Sequence, residues 1–247
     1  MIQEPKVDDV DAQVERLLAG VTFQPQYTFP EKARVWADTL RSDLFRTPLS
    51  PAFIPRGFRL SLDETSSEIR ITHTGHEGWH VRITASEVYF HAERPPADFV
   101  DELIDVQVGI LKLVLARLAV EHISTIGIKF VAVLPMGKPE QGWPSRIIAL
   151  HPIPTLVHDD VDVQEVAFRL SYVVTFGTAT LQASCDPSTA DIIIDLDYFN
   201  RDPIFIETDA AAFMRDAQEH LLRKVIPFLL PLTQRSPDPG LVAARKG

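Results

Sequence analysis

Two stretches carry side chains whose types and spacing could do chemistry. In His73-Thr-Gly-His-Glu-Gly-Trp-His80, the imidazoles of His73, His76 and His80 stand close to the carboxylate of Glu77. Such a donor set suits zinc or another divalent metal. The second stretch is Asp191-Ile-Ile-Ile-Asp-Leu-Asp-Tyr-Phe-Asn200. In a strand, Asp191, Asp195 and Asp197 share one face. Carboxylates so placed could hold Mg²⁺ for phosphate or sugar-nucleotide chemistry.

The elements that must position these residues argue against both sites. A register that keeps Ile69 and Ile71 on the face of Val81 and Ile83 puts His73 on the apolar face. His80 then lies on the opposite face with Arg70 and Thr72, and His76 at the hairpin tip. The three imidazoles do not converge. In the aspartate strand, Ile192, Ile194, Leu196 and Tyr198 read as the core face and the carboxylates as the solvated one, which needs no ligand. No glycine-rich phosphate loop completes a nucleotide site. His158-Asp-Asp-Val-Asp162 lacks the glycine and closing glutamate of a calcium loop. Ser145, in Gly-Trp-Pro-Ser-Arg, lacks the glycines of a nucleophile elbow, and Cys185 reads as a small buried apolar residue. No cofactor is expected.

The chain is organised around a long helix, predicted from Asp98 to Val120. Phe99, Leu103, Val106, Ile110, Leu113, Val114 and Leu118 recur at helical spacing, and carboxylates at 98, 101 and 102 suit its first turn. Ile104, Val108, Leu111 and Leu115 widen the stripe beyond one face. These four are the expected interface residues if a second subunit, rather than a second helix, covers that side. Six charged residues within the segment exclude a membrane span.

Alternation predicts four short strands between 57 and 90, a strand from Ile123 to Leu134, and further strands near 168–176, 181–185 and 191–199. Val10 to Leu18 reads as a short helix, Val21 to Phe29 as an edge strand broken by Pro25, and Pro30 as the opening of another helix. Asp209 caps a last helix that Pro227 could kink. The expected fold is α+β: antiparallel strands from two successive four-strand-plus-helix units, backed by two long helices. The parts are an N-terminal helical arm (1–56), a meander with the long helix (57–120), and a second strand set with its helix (121–233). The last two form one compact domain, followed by a disordered tail (234–247).

The 247 residues suffice for a full core, and a net charge of −10 argues against general nucleic-acid binding. One cysteine excludes an intrachain disulfide framework. The N-terminus has no basic-then-apolar export pattern, so a cytoplasmic location is expected.

The run Ile123-Ser-Thr-Ile-Gly-Ile-Lys-Phe-Val-Ala-Val, following a long helix, resembles the central strand of a sporadically distributed prokaryotic family of uncharacterised proteins. Ile194-Asp-Leu-Asp-Tyr-Phe199 and a terminal helix with His220 and the ending Phe228-Leu-Leu-Pro-Leu-Thr233 resemble its C-terminal half. The likeness covers residues 98–233. It departs at Lys129-Phe-Val-Ala, where the family more often has an asparagine and a basic residue. The resemblance implies no catalytic residues. It implies a prokaryotic, cytoplasmic protein from a defence or mobile-element locus. The residues themselves point to a non-enzymatic adaptor, inhibitor or assembly subunit with a protein partner or self-association. A metal-dependent hydrolase or transferase using Asp195 and Asp197 is the alternative, and a small-molecule binder the third reading.

Overall fold

Strand β1 (Gln13–Phe23) occupies the middle of the molecule, where a short helix and an edge strand were expected. Leu17, Ala19, Val21 and Phe23 alternate onto one face and are buried. β1 pairs antiparallel with β5 (Glu87–Glu93) on one side and β6 (Ile123–Leu134) on the other. Val14 and Leu18 fall at the other parity and are only half-buried. A local reading mistakes that pattern for helical spacing. The computed structural model describes residues 13–46, 58–63, 68–75, 78–95, 100–134, 167–185, 191–201 and 209–233.

The remaining strands are β2 (Phe58–Asp63), β3 (Glu68–His73), β4 (His80–Ile83), β7 (Ala167–Val174), β8 (Gly177–Cys185) and β9 (Ile192–Asn200). All nine form one antiparallel sheet in the order β2-β3-β4-β5-β1-β6-β9-β8-β7. The predicted register of the first hairpins is present, with Ile69 opposite Ile83 and Ile71 opposite Val81.

Helix α1 (Phe29–Arg46) packs on β2 and β3, and α2 (Val100–Arg117) packs on β5. The third helix begins as α3 (Asp209–His220), which packs on β6. It then passes through a π-helical turn (Leu221–Val225) and closes as α4 (Ile226–Thr233). The Ile226 N–H donates to the carbonyl of Leu221, five residues back. Pro227 follows at once. It lacks the N–H that would bond Arg223, and its ring crowds that carbonyl, so the irregular turn sits where the helix must adapt.

α2 lies between α1 and α3, tied to each by an ion pair, Arg117–Asp43 (2.5 Å) and Arg215–Asp105 (2.5 Å). This explains its wide apolar stripe. Ile104, Val108, Leu111 and Leu115, the expected interface residues, are all buried in the chain's own core, beneath two flanking helices and over the sheet. Gln107 is also buried, and its amide N and O have no hydrogen-bond partner among the described residues. An unpaired buried amide costs about 1–3 kcal/mol. Gln107→Met keeps the volume and removes the polar group, so it is expected to raise the urea midpoint. A lowered midpoint with unchanged slope would show that the amide is satisfied.

The sheet is nearly symmetric about the β1–β6 pair, where Gly20 faces Gly127. A Cβ on Gly20 would meet the Val88 carbonyl and the Tyr89 ring, and one on Gly127 the Tyr198 carbonyl and Phe199. Outward from this axis, β5, β4 and β3 on one side answer β9, β8 and β7 on the other, with β2 added beyond β3. The strands of the two units expected from element order all share this one sheet. The expected N-terminal arm is corrected accordingly, because it supplies a central strand.

Candidate functional site

The helix-covered face of the sheet is closed over its centre and open at one edge. Along β7, Phe168, Leu170, Tyr172 and Val174 point to the helix side, opposite Ala183, Leu181 and Ala179 of β8. The C-terminal helix only partly reaches them. Phe168 and Phe228 meet edge to face at 6.4 Å, yet Leu170 stays 40% exposed and Phe228 56%. Between β7 and the helix lies an open groove of about 870 Å³ with an apolar lining that includes Leu170, Val174, Val225 and Phe228.

Polar side chains form part of its floor and wall. Tyr172 Oη and His220 Nε2 are 2.7 Å apart, and the Tyr198 hydroxyl donates to Asp216. Burial lowers the pKa of His220, with Asp216 opposing that shift and Lys224 adding to it. Burial also raises Tyr172. Tyr198 is raised strongly, by burial and by its bond to Asp216. The arrangement is a neutral imidazole hydrogen-bonded to one phenol, beside a fully buried second phenol that donates to Asp216. His220 and Tyr172 lie far apart in sequence, so no local motif announced them. The sequence signals were His220 itself, in the terminal helix of the family likeness, and Pro227, which marked the irregular turn beside it.

The aspartate strand lies on the other, open face of the sheet. Asp195 and Asp197 share that face as expected, and Lys129 of β6 stands beside them. Lys129 Nζ is 2.8 Å from Asp195 Oδ2 and is the direct cross-strand neighbour of Asp197. Burial raises the pKa of Asp197, while Lys129 and Arg169 pull it down and Asp195 pushes it up. A lysine ammonium thus already serves as the counter-ion of this pair. Asp191 precedes β9 and is half-buried.

The imidazoles separate as the register requires. His73 Nδ1 accepts from the Gly75 N–H at 3.0 Å and packs on Trp79, serving its own turn. His80 turns to the open face and meets His91 edge to face at 4.9 Å. His91 was not singled out from sequence. His76, Ser145 and the 158–162 loop lie outside the described residues. Among the described residues, no group of three or more His, Cys, Asp or Glu is placed to hold a metal ion.

The His80–His91 pair gives a pH prediction. Burial lowers both pKa values below 6.5. His91, Arg70 and Arg82 lower His80 further against Glu68, and Arg16 lowers His91 against Glu93. The unfolded chain therefore binds more protons than the folded one below pH 6.5, and stability rises with pH there. Stability present above 6.5 is lost as the pH falls through the folded-state values. His80→Gln is expected to flatten this acid limb in urea titrations. An unchanged limb would assign the loss to other groups.

The chain matches no protein-family model and no curated protein. No helix among the described residues is long and apolar enough to cross a membrane.

Proposed function

We propose that the chain is a non-enzymatic interaction module, an adaptor, inhibitor or assembly subunit, that works through the β7 edge and its groove. The observation that carries this reading is Val173, 87% exposed on a strand that is an edge among the described residues. Edge strands present unpaired backbone donors and acceptors, and proteins commonly blunt them with lysine, proline or short length. β7 has eight residues, Ala-Phe-Arg-Leu-Ser-Tyr-Val-Val, with Arg169 as its one charge. The opposite edge, β2, is shorter and carries α1 over it. The family resemblance supports a prokaryotic, cytoplasmic setting in a defence or mobile-element locus.

The test is native mass spectrometry of the full chain from its own host, with Leu170→Asp, Val173→Asp as the comparison. These changes put a carboxylate on each face of an exposed strand and should leave the circular dichroism unchanged. The wild-type chain is expected to carry a protein partner or a second copy, and the variant to run as a bare monomer. A wild-type bare monomer, or an association indifferent to the two changes, would sink the proposal.

A further inference from the structure

Resting on that edge reading, we infer the chemistry of the partner: an extended segment that adds beside β7, with apolar residues at alternate positions and carboxylates between them. The first ground is charge. The chain has 34 acidic residues against 24 lysines and arginines, yet none of the acids falls between Ala167 and Cys185. The edge hairpin therefore carries one arginine and no carboxylate. Arg169 stands on its open face, and Arg201 lies at the hairpin end over the Phe199 ring. The groove itself carries both signs, Arg223 and Lys224 beside Asp216 and Glu219. Arg223 is paired with Glu219 at 2.6 Å.

The second ground is the pleat. A strand laid beside β7 sends alternate side chains to opposite faces. One set enters the groove against Leu170, Tyr172 and Phe228, where apolar side chains fit. The other set emerges on the open face beside Arg169, Ser171 and Val173, where a carboxylate meets the guanidinium. Charge also separates this partner from a second copy. Two β7 strands side by side would bring two Arg169 guanidiniums to one face with no carboxylate on either strand.

The experiment selects a phage-displayed random peptide library on the full chain. Enriched peptides are resynthesised and titrated by fluorescence anisotropy against the wild type, Arg169→Glu, and Leu170→Asp, Val173→Asp. Enriched sequences are expected to alternate apolar and acidic residues. Arg169→Glu should weaken them about tenfold, and more salt should weaken the wild-type complex. Basic peptides, helix-spaced apolar peptides, or acidic ones indifferent to Arg169→Glu would overturn the inference. If no peptide is enriched but native mass shows a dimer that the double variant splits, the partner chemistry falls and the edge reading stands. If no peptide is enriched and no such association exists, both fall.

Discussion

A chain carrying Leu111→Asp or Leu115→Asp is expected not to fold. Both leucines are buried on the central helix α2, between α1 and α3 and over the sheet. Removing a buried leucine costs about 2–5 kcal/mol, and an unpaired buried carboxylate adds several more. A domain of ordinary stability holds about 5–15 kcal/mol in total, so one such change removes most of it. Circular dichroism and urea titration check this. Near-native unfolding together with a changed oligomeric mass would return these leucines to an interface role.

Gly177→Val is expected to destabilise the chain strongly. Gly177 opens β8 with φ at 152°, a conformation L-residues rarely adopt, and a Cβ there would run into the Phe199 carbonyl of β9. Backbone strain and a steric clash together cost about 3 kcal/mol or more. The loss should fall first on the β7–β8 hairpin, because that carbonyl lies where β8 meets the end of β9. Melting temperature and amide exchange measure the two effects. Wild-type protection of the hairpin amides would refute the argument.

Local pattern made much of this fold legible. β6 spans the residues its alternation predicts, and α2 matches to within a few residues, ending where Ala119 turns left-handed at φ 52°. The register of Ile69 and Ile71 was legible because one buried face fixes it. β1 was not, because its partners are distant in sequence and Leu17-Leu18 fits either period. Nor could the sequence say that β7 is an edge, since edge and interior strands share alternation and differ in neighbours. The aspartate pair was found as a pair, but its lysine counter-ion comes from another strand. The tyrosine–histidine floor of the groove likewise joins elements that only the topology brings together.

The central place of β1 bears on how the chain folds. Its neighbours are made long after it, β5 after the whole meander and β6 after α2. A nascent chain cannot close the sheet until β6 emerges, and each such pairing carries the loop-closure entropy of the segment between. Until then β1 offers an unpaired strand edge, and a product ending after α2 would keep it unpaired. Such a fragment is expected to aggregate, and refolding of the full chain to be slower than its helical content suggests.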